Sequence, residues 1–137
     1  MASLEELRSE RIKKLEKLQE LGVSSYPSES SRTHELKDVV ANFVLLEGTQ
    51  EVVVVNGRVM SSRGQGAISF VDMYDGTSRM QVVIKLPESG DEVMNFYRDY
   101  VDVGDFVEVT GTVFITKSGQ QSILVTKISM LSKALLP

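Results

Sequence analysis

The sequence predicts a mainly β fold: a five-stranded Greek-key barrel with one helix between its third and fourth strands, preceded by an N-terminal helical extension. Three observations predict it. From Glu51 onward the chain divides into five runs rich in β-branched residues, with turn signals at "SSRGQG", "DGTS" and "SGQ". One helical pattern, "ESGDEVMNFYRDYV", separates the third run from the fourth. Before Glu51 the pattern is helical and polar. Residues 1–50 are therefore expected to form the helical extension and linker, and residues 51–137 the barrel domain.

In the extension, "LEELRSERIKKLEKLQELG" reads as a helix, with Leu4, Leu7, Ile12, Leu15, Leu18 and Leu21 forming one apolar stripe. Ser3 suits its N-cap and Gly22 its stop. Five acids and five bases cover the other faces, which reads as a solvated surface. "VSSYPSESSRT" is a polar linker in which Tyr26-Pro27 imposes an extended dipeptide. "THELKDVVANFVLL" reads as a short second helix capped by Thr33.

The first strand, "EVVVVNGRVM", is continuous and β-branched, as a strand buried on much of both faces would be. "AISFVDMYD" is the second strand and "RMQVVIKL" the third, which Pro87 ends. The helix after it carries Val93, Phe96, Tyr97 and Val101 on one side, and Gly104 breaks it. "DFVEVTGTVFITK" and "QSILVTKISML" form the last hairpin. This β-β-β-α-β-β order is that of the OB-fold. An SH3-like barrel would not need the helix.

Size and composition set the bounds on function. The 137 residues, 42% of them apolar, make about one domain. There is no cysteine, hence no disulfide framework and no Cys-based zinc site. No apolar run approaches the length of a membrane span, and the charged N-terminus is not a secretory signal. The net charge of −4 argues against non-specific polyanion binding. The charge is uneven, however. Arg58, Arg63, Arg79 and Lys85 outnumber the acids between residues 58 and 85, while seven acids face one base between residues 88 and 108. A local binding site is compatible with that distribution.

Nothing in the sequence points to catalysis. The single histidine, His34, has no nucleophile pattern nearby, and "RGQG" is too short for a dinucleotide fingerprint. The carboxylates between residues 88 and 105 read as a solvated helix face, not a metal cluster. Binding is the better prospect. An OB-fold holds oligonucleotides on the face of its second and third strands, between the loops joining strands 1–2 and 4–5. Unpaired bases need an aromatic surface to stack on and polar groups for their edges. Phe70 is central in the second strand, on the face of Ile68, Asp72 and Tyr74. Gln81 stands on the third strand with Arg79 and Lys85, a face read as solvated. Arg63 falls in the 1–2 loop; Lys117, Ser118 and Gln120 fall in the 4–5 hairpin. The alternation alone leaves Phe70 divided between core residue and stacking platform.

Taken together, "RIKKLEKLQELGVSSYP", "VNGRVMSSRGQGAISFVDMYD", "RMQVVI", "DVGDFVEVTGTVFITKSG" and "MLSKALLP" resemble, in order and spacing, the N-terminal anticodon-binding domain of lysyl-tRNA synthetases, class II aminoacyl-tRNA synthetases. The leading helix favours the lysine enzymes over their aspartate and asparagine relatives. The resemblance implies that Phe70 stacks on the central uracil of a lysine anticodon while Arg63 and Gln81 hydrogen-bond bases. It implies an anticodon contact for Gln120 in the 4–5 loop, and phosphate or flanking contacts for Arg79 and Lys117. Three departures stand out: Gln120 replaces the family's glutamate, Ala67 a lysine, and Ile115 a base often found there. The resemblance implies no catalytic residue, metal or cofactor in this domain. ATP and Mg would belong to a catalytic domain following Pro137, in a cytoplasmic, homodimeric parent enzyme that binds the anticodon loop of lysine tRNA and no membrane. Two other readings stay open on the residues themselves. One is a free-standing single-strand-binding protein; the other is an interaction or dimerisation module using the Leu4–Leu21 stripe.

Overall fold

The computed structural model describes residues 3–20 and 31–135. The expected stop at Gly22, the Tyr26-Pro27 dipeptide and Leu21 lie outside the described residues. Helix α1 (Leu4–Glu20) begins as expected: the Ser3 hydroxyl accepts the Glu6 amide at 3.1 Å. The second helical region is two helices, α2 (Leu36–Ala41) and α3 (Phe43–Thr49), with Asn42 between them. The N-cap of α2 is Glu35, not Thr33. Glu35 and Asp38 satisfy each other's backbone amides as a capping box. Thr33 is instead drawn to the first strand, where its amide donates to the Val54 carbonyl at 2.8 Å and its hydroxyl accepts the Val54 amide at 2.9 Å.

The barrel comprises β1 (Val53–Gln65), β2 (Ile68–Tyr74), β3 (Arg79–Lys85), β4 (Phe106–Ile115) and β5 (Gln121–Ser132), with helix α4 (Asp91–Tyr100) between β3 and β4. The strands close in the order β1-β2-β3-β5-β4, and β4 pairs back onto β1. All pairings are antiparallel except β3 with β5. This is the OB-fold.

Strand β1 departs from its sequence reading in two ways. It alternates: Val53, Val55 and Val59 are fully or almost fully buried, whereas Val54, Asn56 and Arg58 face outward. It also runs on through Ser61, Ser62 and Arg63, a segment expected to be a turn. A register shift between Val59 and Ser61 bends the strand so that it keeps pairing with β2. Gly64, at φ +137°, then passes so close to β2 that a Cβ there would meet the Ile68 carbonyl oxygen at 2.4 Å.

Inside the barrel, Val71, Met73, Val82 and Ile84 interdigitate with Val109 and Ile123. Burying each such side chain contributes about 1.5–3 kcal/mol. Leu36, Val39, Phe43 and Leu46 of α2 and α3 share this core, although they precede residue 51. Val93, Met94 and Tyr97 of α4 join it as well. The Tyr97 hydroxyl is hydrogen-bonded to Ser62, and Arg98 donates to the Gly66 carbonyl at the β1–β2 turn, so α4 supports that hairpin. Burial pushes the Tyr97 phenol up, as does the Asp102 charge; the Ser62 hydrogen bond opposes them.

The charges of α1 are not all solvated. Arg11 is buried and Lys14 half-buried, because both turn toward Asp102 after α4. Lys133, at the end of β5, bonds Asp102 at 2.6 Å and the fully buried Asp105 at 2.5 Å. Burial raises the Asp102 carboxyl, but hydrogen bonds and charge from Lys133 and Lys14 outweigh it and hold the group below its ordinary range. Helix α1 is thus docked through ions as well as through its stripe, in which Leu7, Ile12 and Leu15 are half-buried and Leu4 is exposed. Among the described residues, no helix is long and apolar enough to cross a membrane.

Candidate nucleic-acid interface

The outer face of β2 and β3 carries a groove of about 510 Å³, walled by Ile68, Phe70, Val83 and Lys85 on one side and by Phe114 to Ser118 of β4 and its following turn on the other. Strand alternation puts Phe70 there. Val71 and Met73 point inward, so Phe70 stands outward, half-buried, opposite Val83 of β3.

Arg63 lies on β1 directly opposite Phe70, not in a loop, because β1 continues past its bend. Its guanidinium carbon is 5.7 Å from the centre of the Phe70 ring, within cation–π range. One terminal nitrogen donates to the Gln81 oxygen at 2.8 Å; the other is 3.6 Å from the Asp72 carboxylate. This ion pair is too exposed to contribute much stability. Its effect is to direct the guanidinium, and Asp72 is itself held by the Ser61 hydroxyl at 2.8 Å.

Gln81 corrects the sequence reading. It stands on the outer face, as the alternation requires, but it is only 5% exposed. The parallel pairing of β3 with β5 sets it against Ser122, whose hydroxyl accepts the Gln81 amide at 2.9 Å. With Arg63 on its oxygen, Gln81 bridges β1 and β5 and keeps one N–H and one lone pair without a partner among the described residues.

The other expected positions divide. Lys117 lines the groove. Gln120 sits exposed at the end of the tight Thr116–Gln120 turn, where its amide donates to the Thr116 hydroxyl, and it is not part of the groove wall. Arg79 lies at the far end of β3 beside Tyr74, six residues from Lys85 and about 20 Å away. Sequence reasoning missed Phe114, which forms a second aromatic wall with the Lys85 ammonium 5.2 Å from its ring centre. The signal was there: in "FVEVTGTVFI" Val107, Val109 and Val113 share one parity, with Gly111 between them, so Phe114 must face out. Lys85 is also paired with Glu88 at 3.2 Å. Among the described residues, no three His, Cys, Asp or Glu side chains are grouped to hold a metal ion.

A half-buried aromatic platform, a second ring across a groove, and a cation over each suit unpaired bases: flat faces to stack on and donors at the edges. Comparison with known proteins agrees. The chain is 36% identical over 137 residues to a lysine–tRNA ligase of Dehalococcoides mccartyi, covering 97% of this chain and 27% of that protein. It is 40% identical over 133 residues to one from Clostridium botulinum, covering 96% and 26%, and 36% identical over 135 residues to one from Roseiflexus castenholzii, covering 98% and 28%. The chain therefore spans about a quarter of the length of these relatives. Residues 53–131, the barrel itself, match the tRNA anti-codon family. With the closed five-stranded barrel and its aromatic groove, that match makes the chain a member of the tRNA anti-codon family of OB-fold nucleic acid binding domains.

Proposed function

We propose that the chain is the anticodon-binding module of a lysine–tRNA ligase and that its groove takes the uracil-rich anticodon of lysine tRNA. The observation that carries this reading is the fixed triad of Phe70, Arg63 and Gln81. The central base stacks on Phe70. Arg63, its direction set by Gln81 and Asp72, supplies donors to the uracil carbonyl oxygens, and Gln81 offers its remaining N–H and lone pair to the same edge. Lys117 draws the phosphate backbone toward the groove, with Gln120 and Arg79 as flanking contacts. For the parent protein we propose the rest of the activity: attachment of lysine to tRNA with ATP and Mg, in a cytoplasmic class II homodimer. The printed names of those relatives, lysine–tRNA ligases, support the ligation of lysine to tRNA.

The test is fluorescence anisotropy with an anticodon stem-loop carrying uracil at the central position. Phe70→Ala should weaken binding by roughly 5- to 150-fold, the equivalent of about 1–3 kcal/mol for one lost stack. Replacing the central uracil by cytosine should weaken wild-type binding and leave the Arg63→Gln variant indifferent. Equal affinity of wild type and Phe70→Ala, or of wild type for the two stem-loops, refutes the reading.

A further inference from the structure

A second cation–aromatic surface crosses the other end of the barrel. Arg79 of β3 is the register partner of Tyr74 of β2, Tyr74 of Arg58 on β1, and Arg58 of Phe106 on β4. Directly opposed residues on paired strands share a face. The four side chains therefore form one transverse row, cation–aromatic–cation–aromatic, and all four are exposed. The Arg58 guanidinium carbon lies 5.0 Å from the centre of the Phe106 ring. Large aromatics exposed to this degree, 41% for Tyr74 and 36% for Phe106, are the exception among the described residues.

The two arginines differ from the cations of the groove. Arg63 is committed to Asp72 and Gln81, and Lys85 to Glu88. Neither Arg58 nor Arg79 meets a carboxylate within 4.0 Å among the described residues. Asp75, which follows Tyr74 at the end of β2, is spent elsewhere, accepting the Leu36 amide at 2.8 Å and the Thr77 hydroxyl at 2.6 Å. The row also continues the groove: Phe70, Asp72 and Tyr74 follow one another on the outer face of β2, about 13 Å from end to end.

We propose that the Arg79–Tyr74–Arg58–Phe106 row is a second strand-binding surface, which takes the single-stranded RNA segment that continues beyond the bases held in the groove. Tyr74 and Phe106 offer stacking faces, and the two free guanidiniums neutralise the phosphates that pass between them. The position of this RNA relative to the groove rests on the reading of the groove as an anticodon site; the chemistry of the row does not.

The test uses the whole chain and two fluorescein-labelled uridine-rich RNAs, of about 4 and about 12 nucleotides, spanning the range of sites for one OB-fold. The double variant Tyr74→Ala/Arg58→Gln should bind the long RNA about tenfold more weakly and the short RNA as wild type does. The log–log salt slope for the long RNA should fall by about 0.7 for each arginine removed. In the wild type, amide shifts at Arg58, Tyr74, Arg79 and Phe106 should move with the long RNA alone, which tests the surface without any substitution. The proposal is overturned by wild type that fails to bind the long RNA, by equal losses on both lengths, or by unmoved amides in the row. Affinity unchanged by the double variant also overturns it, and leaves the row to a protein contact. If Phe70→Ala spares the short RNA while the double variant loses the long one, the groove reading fails and this surface stands.

Discussion

The Arg63 guanidinium donates to the Gln81 side-chain oxygen at 2.8 Å, and this bond fixes where the arginine's charge lies. Arg63 is itself 60% exposed at the side chain and would otherwise sample many rotamers. Gln81, buried and tied to Ser122, holds it above Phe70. The pair therefore acts as a unit, the glutamine as the positioning residue.

A double-mutant cycle should reveal that unit. Gln81→Met and Arg63→Gln should each weaken binding to the anticodon stem-loop, and the double variant should lose less than the sum. A coupling of about 0.5–3 kcal/mol is expected for contacting residues. Additive losses in titration calorimetry would mean that Gln81 does not direct Arg63. Gln81→Met should also lower stability by about 1 kcal/mol in urea titrations, through the lost hydrogen bonds.

Phe114 should matter to binding and little to folding. It is half-buried on the outer face, so Phe114→Ala removes a groove wall without opening the core. Affinity for the stem-loop should fall by about 1–3 kcal/mol if a base stacks there. The melting temperature should change by only a few degrees. A large fall in melting temperature would reassign Phe114 to structure.

Acid should undock α1 through Asp102. Its folded pKa lies below the model-compound value of 3.8, so the unfolded chain binds more protons and stability rises with pH. The contribution is complete above about pH 4 and is lost as pH falls through the folded value. Asp102→Asn should reduce stability at pH 7 and make the acid limb of a stability–pH curve shallower. Asp75 maintains part of that limb: burial raises its carboxyl, but hydrogen bonds from Leu36, Thr77 and Ser78 hold it low. A curve unchanged in slope would sink the assignment to Asp102.

Gly111→Ala should be among the most damaging single substitutions in the barrel. A Cβ there would meet the Leu124 carbonyl oxygen at 1.9 Å, backbone that cannot swing aside as a side chain can. Strands β4 and β5 would have to separate where their register shifts, between Thr110 and Gly111. A loss of about 3 kcal/mol or more is expected from overpacking of this kind, measurable by chemical denaturation. Near-wild-type stability would show that the bulge yields.

The barrel was legible because its strands alternate and its one helix interrupts them at a diagnostic place. Alternation set Phe70 on one face with Ile68, Asp72 and Tyr74 but left that face divided between core and platform; the burial of Val71 and Met73 on the other face decides it. What the sequence hid were features set by long-range pairing. A bulge, not a turn, follows Val59, and it carries Arg63 into a strand. The parallel partner of β3 converts Gln81 from a solvated amide into a buried strut. Arg11 and Lys14 look like ordinary surface charges until Asp102, 88 positions beyond Lys14, is brought against them. Thr33 was an attractive cap by type, but the edge of β1 claimed it before the helix could.

The parallel contact between β3 and β5 is the seam at which the sheet becomes a ring, and Gln81 and Ser122 meet there across 41 positions of chain. Arg63 is aimed only when that seam is shut. On the proposed reading of the groove, recognition and closure are one equilibrium. A nucleotide that grips Arg63 selects the closed ring and stabilises it by mass action. Amide exchange along the seam should slow when the groove is filled, and a substitution that loosens the seam should weaken binding without touching the ligand.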